Sequence, residues 1–425
     1  MIAAMAAFKG RPAAQWLRAN HPVRDGQFRH SRWSSVRSLP DADLISAVAM
    51  GAPNHCLDGW SYAARATSAI LSGDYHGCRH LAYYAQLRAG LSMLANLGVG
   101  IFNRINFVID AAGHVRRLDP TRKWSEMGDG THTIVWEALR EWSLDLSSAR
   151  IFLELVRIRG VSLADSLDAI WPGSISAGVA AQLISSWGID LARGKAEHRF
   201  RNISSYNPQS LNPLGATVGD SLELIEQFWE LCEPTGGGSF NALDRFLLRN
   251  VLRSVQQIID PSVPLTDQNG ALTRNYGFLS PRIQGIASLD FLTGANGEAD
   301  PALLTLSRAT TDPAEPTEML ARAYLLLRAA TALTHASCVD AGIDLTGGDL
   351  RLWVDDLAER RGFWRPGQAL SDPSDLWADV EIALVDFNAA RTAAPTCWSD
   401  WMANSERGVP QVAELERIGV WSLSV

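Results

Sequence analysis

Apolar side chains recur at spacings of three and four residues along most of the chain, which is the period of an α-helix. In the segment Asp74–Leu97 one such stripe is formed by Leu81, Tyr84, Leu87, Leu91 and Leu94. Ser72-Gly73 separates this helix from one predicted at Asp58–Leu71. The same pattern predicts further helices at Thr133–Trp142, Ser147–Ile158, Leu163–Trp171, Ala177–Leu191, Lys195–Ser205, Asp220–Leu231, Ser239–Ile258, Pro313–Ala341, Leu350–Arg361, Ser374–Ala390 and Pro410–Ile418.

The period changes to that of a β-strand at one place. Ile101–Asp110 and His114–Leu118 are rich in β-branched residues, and Asp110-Ala-Ala-Gly113 joins them, so we expect a small hairpin. Proline and glycine at 208–215 indicate a boundary near 211–219. We therefore predict a mainly α protein: a helical bundle with one small β-hairpin insertion and a second helical domain.

The predicted domains are a basic N-terminal arm and leading helix at 1–57, a helical domain with the hairpin at 58–214, and a C-terminal helical domain at 215–425. The chain of 425 residues is long enough for more than one core. Its longest apolar runs, of about ten residues, fall short of the roughly 20 that a membrane span needs. Its five cysteines are odd in number and contain no Cys-x-x-Cys pair, which favours a reducing cytoplasm.

Charge is distributed unevenly, and this changes the expected partners. The formal net charge is −8, yet the first 40 residues carry seven basic side chains against the single acid Asp25. Residues 58–210 have a net charge of +2 and residues 311–425 one of −9. We therefore expect any RNA partner at the N-terminal half, and self-association or a protein partner through the acidic C-terminal half.

Three groups of residues have side chains or a backbone suited to binding a metal ion or phosphate, but none has the spacing of an established motif. His76 and His80 would share one helical face, and a zinc site would also need Cys78 or Cys56 and a carboxylate. Cys78 points to a different face and the spacing matches no established zinc site, so ordinary helix residues are the simpler interpretation. The turn Thr235–Ser239 enters a helix and contains three glycines, which suits phosphate, but no lysine follows it. Acidic side chains around Gly347-Gly348 could ligate Mg²⁺ or Ca²⁺. These residues are Asp340, Asp344, Asp349, Asp355, Asp356 and Glu359. The simpler interpretation is that they are solvated surface acids.

The most informative segment is His198–Pro208, at the end of a predicted helix. It contains Arg199 and Arg201 together with three further polar or aromatic candidates, His198, Asn202 and Tyr206. Metal-free RNA cleavage needs a cation at the scissile phosphate and a proton acceptor for the 2′-hydroxyl, and arginine suits phosphate because its planar fork binds two oxygens. The simpler alternative is a Glu197–Arg201 ion pair one helical turn apart, with Asn207-Pro208 as a stop signal.

Arg201-Asn202-Ile-Ser-Ser205-Tyr206 resembles the Arg-Asn-x-x-Ser/Ala-His signature of the higher eukaryotes and prokaryotes nucleotide-binding (HEPN) superfamily. The stretch Tyr75–Ala85 contains Leu-Ala-Tyr-Tyr-Ala and resembles an early helix of that family. The resemblance covers roughly residues 58–210. It implies an all-helical bundle, often dimeric, that cleaves RNA without metal or cofactor in bacterial toxin or defence systems.

Within this resemblance, Arg201 would hold phosphate and Asn202 would orient the site. The family's histidine falls on Tyr206, and tyrosine hydroxyls, which titrate at about 10, are poor bases at neutral pH. His198 would then take over proton transfer, or the site would bind without cleaving.

The sequence is compatible with three hypotheses. The first is a metal-independent ribonuclease, with Arg201, His198, Asn202 and Tyr206 as catalytic candidates and Arg199 and Arg201 in RNA binding, and with no cofactor and no metal. The second is a catalytically inactive scaffold or sensor, favoured by the 15 tryptophans, which are typical of interfaces. The third is a metal-dependent enzyme that uses His76 and His80.

Overall fold

The computed structural model describes residues 1–11, 15–17, 21, 39–102, 105–117, 130–173, 177–210, 217–235, 239–344, 351–393, 395–405 and 409–424. Most of the predicted basic arm lies outside these ranges, as do residues 211–216, so the boundary near 211–219 stays a prediction. Within the described ranges, no helix combines the length and apolar character that a bilayer span requires.

The fold is mainly helical, as the sequence predicts. Its N-terminal helices are α1 (Ile2–Ala6), α2 (Asp41–Leu71), α3 (Tyr75–Asn96), α4 (Thr131–Leu144), α5 (Leu146–Leu155), α6 (Leu163–Ile170), α7 (Ala177–Ser186) and α8 (Gly194–Tyr206). The remaining helices are α9 (Val218–Leu231), α10 (Asn241–Ile259), α11 (Ala271–Asn275), α12 (Pro281–Gln284), α13 (Leu289–Thr293), α14 (Ala302–Arg308), α15 (Pro316–Asp340), α16 (Arg351–Arg361), α17 (Leu376–Thr392), α18 (Trp398–Asn404), α19 (Val409–Ala413) and α20 (Glu416–Ser424).

Two small antiparallel sheets interrupt the helices. The first is three-stranded, with β1 (Val99–Phe102), β2 (Ile105–Ile109) and β3 (Val115–Arg117) in that order. The predicted hairpin corresponds to β2 and β3, but the run predicted as one strand over 101–110 is split, because β1 pairs with β2 and places Phe102 opposite Ile105. The second sheet is a two-stranded hairpin of β4 (Arg157–Ile158) and β5 (Val161–Ser162).

Some predicted boundaries were wrong for local reasons. The helix predicted over 147–158 ends at Leu155, because Arg159 and Gly160 take φ values of +50° and +74° and turn the chain into β4–β5. The segment 410–418 contains parts of two helices, α19 and α20. Helix α2 begins at Asp41, so the leading segment continues without a break into the helix predicted from Asp58.

The break between α2 and α3 lies where the sequence places it. Gly73 has a φ of +76°, which favours glycine, and the Asp74 side chain caps α3 by accepting a hydrogen bond of 2.7 Å from Gly77 N–H. The two helices therefore form an antiparallel pair joined by a short turn.

Helix α15 is the buried centre of the molecule. Its predicted stripe of Leu320, Ala323, Tyr324, Leu327 and Ala330 is fully buried. It packs against α2 and α3, where the Trp60 indole donates to Thr331 Oγ1 at 3.0 Å and Gln86 Nε2 donates to the Met319 carbonyl at 2.9 Å. Helices on either side of the predicted boundary thus share one apolar core.

A buried ion pair joins α15 to α10. Arg328 Nε and Nη2 donate to the two Asp244 carboxylate oxygens at 2.9 and 2.8 Å, and both side chains are almost completely buried. We predict that Asp244→Asn lowers the free energy of unfolding by about 3 kcal/mol, because it leaves a buried guanidinium without its counter-charge. Urea denaturation measures the change.

The control is Glu154→Gln, which breaks an ion pair of 2.8 Å with Arg150 on the surface. That variant should lose no more than about 0.5 kcal/mol. Equal losses in the two variants would contradict a structural role for the Arg328–Asp244 pair.

Candidate functional site

Arg201 of α8 lies against the two adjacent tyrosines of α3. The Arg201 guanidinium carbon is 4.9 Å from the centre of the Tyr84 ring and 5.6 Å from that of Tyr83. Arg201 Nη2 also donates a hydrogen bond of 2.7 Å to the Tyr84 hydroxyl. The two segments that carry the sequence resemblance therefore contact each other directly.

The positive charge of Arg201 is buried without a counter-charge. The residue is 7% exposed, and Nη1 donates to the Asn202 side-chain oxygen at 2.7 Å. Nε has no hydrogen-bond partner, and no carboxylate of the described residues lies within 4.0 Å of the guanidinium. Buried cations are normally paired, so a guanidinium held only by neutral groups retains its capacity to bind an anion.

Three histidines, here called the histidine cluster, surround this cation: His80, His132 and His198. The His132 and His198 rings stack in parallel, with centres 4.6 Å apart. The Tyr83 hydroxyl lies 3.2 Å from His132 Nδ1, and Ser205 Oγ lies 2.6 Å from His80 Nδ1. Helices α3, α4 and α8 thus each contribute one imidazole, and together with Tyr83, Tyr84, Arg201 and Asn202 these form the Arg201 site.

The cluster is biased toward neutral imidazoles. Burial, then the charges of His198 and Arg201, lower the pKa of His132 to about 4. Burial and the Arg201 charge also lower the pKa values of His80 and His198. A neutral imidazole can accept a proton, and it leaves Arg201 as the cation of the site.

The structure brings together three of the five predicted site residues. Arg201, Asn202 and His198 lie in one cluster, whereas Arg199 points to solvent from the same helix. Tyr206, on which the family's histidine falls, is 83% exposed and lies outside the cluster. The imidazoles near Arg201 come from α3, α4 and α8.

The sequence does not place His80 near Arg201, and it does not single out His132. His80 belongs to the Tyr75–Ala85 stretch but was considered only as a metal ligand. His132 stands at the start of α4, more than sixty residues before His198, and carries no local pattern. Only the packing of α4 beside α8 reveals it.

The predicted Glu197–Arg201 pair was wrong. Glu197 is fully buried and forms an ion pair of 2.7 Å with Arg322 Nε of α15. This pair ties α8 to the central helix and leaves Arg201, one turn later, without an acidic partner.

The described residues give no further support to the zinc, phosphate and acidic sites suggested by the sequence. No group of three or more histidine, cysteine or acidic side chains in the described part of the chain could hold a metal ion. Asp340 is ion-paired with Arg157 at 3.0 Å. The glycines at 236–238 and the acidic turn at 345–350 lie outside the described residues.

Comparisons with protein-family models, with curated proteins and with solved structures find no match to this chain.

We predict that Arg201→Gln raises the pKa of all three members of the histidine cluster, because the Arg201 charge lowers each of them. Titration of the imidazole resonances by NMR measures this, starting from a His132 pKa of about 4 in the unsubstituted protein. His55 is the internal control: burial and Arg88 lower its pKa to about 3, so it should not respond. Cluster pKa values that stay unchanged in the variant would contradict the proximity of Arg201.

Proposed function

We propose that the chain is a HEPN-like protein of a bacterial defence or toxin-type system that cleaves RNA without a metal ion, with Arg201 binding the scissile phosphate. The observation that carries this proposal is the buried, unpaired guanidinium beside three imidazoles whose pKa values are lowered. The resemblance of Arg201-Asn202 and of the Tyr83-Tyr84 helix to that family supports it. A cytoplasmic location belongs to the same proposal.

The arrangement supports a transesterification in which the RNA supplies its own nucleophile. A neutral imidazole, that of His198 or His132, accepts the 2′-hydroxyl proton while the 2′-oxygen forms a bond to phosphorus. The bond from phosphorus to the 5′-oxygen breaks, and that oxygen takes a proton from an imidazolium or from water. Arg201 stabilises the charge that develops on the non-bridging oxygens, and the products are a 2′,3′-cyclic phosphate and a free 5′-hydroxyl.

Substrate binding would itself adjust the histidine cluster. A phosphate beside Arg201 brings negative charge close to the imidazoles, which favours their protonated forms and raises their pKa values toward neutrality. The Tyr83 hydroxyl at His132 Nδ1 leaves Nε2 of that ring for the substrate. The site would then exchange protons efficiently only when RNA is bound.

Aromatic rings beside the cation suit single-stranded RNA. Tyr84 is partly exposed and stacks on Tyr62 with ring centres 5.2 Å apart. Bases of unpaired RNA stack on such rings, whereas the bases of a duplex are not accessible to them. We therefore expect single-stranded RNA as the substrate.

One observation favours the alternative of a scaffold that binds protein partners. On α17, Ile382 and Val385 lie three residues apart and are 70% and 69% exposed. Two large apolar side chains on one face of a surface helix are typical of a contact surface. The expected self-association or protein binding through the C-terminal half would use this face.

We predict that Arg201→Gln lowers the rate of cleavage of single-stranded RNA by about 10²- to 10³-fold in the presence of EDTA, since it removes a charge from the transition state. His132→Asn and His198→Asn should each lose about 10²- to 10⁴-fold. The control is Arg150→Gln, which removes an exposed arginine of α5 outside the Arg201 site and should change the rate little. A fluorescent oligonucleotide assay, with detection of the cyclic phosphate product, provides the measurement.

Two outcomes would contradict the ribonuclease. One is a cleavage rate that Arg201→Gln and Arg150→Gln reduce equally. The other is RNA that stays intact and unbound with folded protein at every concentration tested. If Ile382→Asp with Val385→Asp then abolished self-association, the scaffold would be the better assignment.

A further inference from the structure

A pocket elsewhere in the molecule shares no lining residue with the Arg201 site. Its volume is about 540 Å³, within the range of small-molecule sites. The β4–β5 hairpin, the segment before α10, helix α12 and the C-terminal half of α15 form its walls.

Small side chains of α15 leave room in the floor of this pocket, which His335 of the same helix also lines. Ala332 and Ala336 lie one turn apart on α15, are 6% and 1% exposed, and leave room above the helix. Val339 extends the same face by another turn. An apolar strip of this kind suits the flat organic part of a ligand, such as a nucleobase.

The rim carries two arginines that lack a counter-charge. No carboxylate of the described residues lies within 4.0 Å of the guanidinium of Arg159 or Arg282, whereas the neighbouring Arg157 is paired with Asp340. Arg282 Nη1 is 3.3 Å from the position that a Cβ on Gly160 would occupy. Both cations therefore flank the turn of the hairpin and face the same pocket.

Arg159 has a backbone conformation that is unfavourable for residues other than glycine, asparagine and aspartate. Its φ of +50° makes it the one non-glycine residue with a positive φ among the described residues. The first position of such a two-residue turn is normally asparagine, aspartate or glycine. An arginine kept in a disfavoured conformation at the mouth of a pocket indicates a role for its side chain.

A buried hydroxyl adds a third polar group. Ser239 is 4% exposed, lines the pocket, and its Oγ accepts a hydrogen bond of 3.2 Å from the Arg159 backbone N–H. The Ser239 hydroxyl proton is then available to a ligand oxygen.

We propose that this pocket binds a nucleoside diphosphate. The two phosphates would contact Arg159, Arg282 and the Ser239 hydroxyl, and the base would lie on the Ala332–Ala336 face. A guanidinium group can bind two oxygens of one phosphate. Two arginines therefore match a diphosphate better than a monophosphate. This site is independent of the ribonuclease proposal.

Isothermal titration calorimetry on the full chain tests the proposal, with ADP, GDP, pyrophosphate and adenosine as probes. ADP or GDP should bind, pyrophosphate should bind more weakly, and adenosine should bind at least about tenfold more weakly than ADP. Arg282→Gln should weaken nucleotide binding at least about tenfold. Arg150→Gln removes an exposed arginine of α5 and should leave binding unchanged.

Arg159→Asn separates binding from folding. Asparagine tolerates a positive φ, so this variant should unfold at the same or a higher temperature than the unsubstituted protein while losing at least about tenfold in nucleotide affinity. Unchanged affinity in this variant, or adenosine binding as tightly as ADP, would overturn the proposal. The proposal would also be overturned if ADP, GDP and pyrophosphate all failed to bind at millimolar concentrations. It would be overturned too if RNA displaced ADP equally well from the unsubstituted protein and from Arg201→Gln, because the pocket would then be an RNA-binding site.

Discussion

The burial of helix α15 between α2 and α3 is the constraint on which the rest of the molecule depends. Besides its apolar faces, α15 makes specific polar contacts, such as the hydrogen bond of 2.8 Å between the hydroxyls of Tyr324 and Thr67. It contacts α3 through Gln86 and α8 through the Arg322–Glu197 ion pair. Because one rigid helix fixes both α3 and α8, their facing side chains can be held in a precise arrangement.

The Arg201 site is the product of that arrangement. Arg322 and Arg328 are also buried, and each is neutralised by a carboxylate within 2.8 Å. Arg201 is held between tyrosine rings and an amide oxygen, with imidazoles whose lowered pKa values keep them from competing as cations. Arg79 is also buried with no carboxylate within 4.0 Å among the described residues, but its guanidinium donates to the Ala314 carbonyl and to Ser204. Arg201 differs because it lies beside three imidazoles, where an external anion would have a place.

Local patterns predict the helices well and the site only in part. The stripe of α3 and the buried side of α15 follow from periodicity, and Arg201, Asn202 and His198 follow from their proximity in sequence. Periodicity did not reveal the β4–β5 hairpin, because it depends on a two-residue turn with an unusual arginine. His132 depends on the packing of α4 against α8, and the position of His80 depends on the packing of α3 against α8. The Arg-Asn motif of α8 does not show which other helices supply an imidazole.

The most direct test is whether RNA binding stabilises the fold through Arg201. The free energy of unfolding is measured for the unsubstituted protein and for Arg201→Gln, with and without a 2′-O-methyl single-stranded RNA that cannot be cleaved. A ligand at 100 times its dissociation constant should stabilise the unsubstituted protein by about 2.7 kcal/mol and the variant by much less. An equal gain in both proteins, or no gain in either, would contradict the assignment of Arg201 as the phosphate-binding residue.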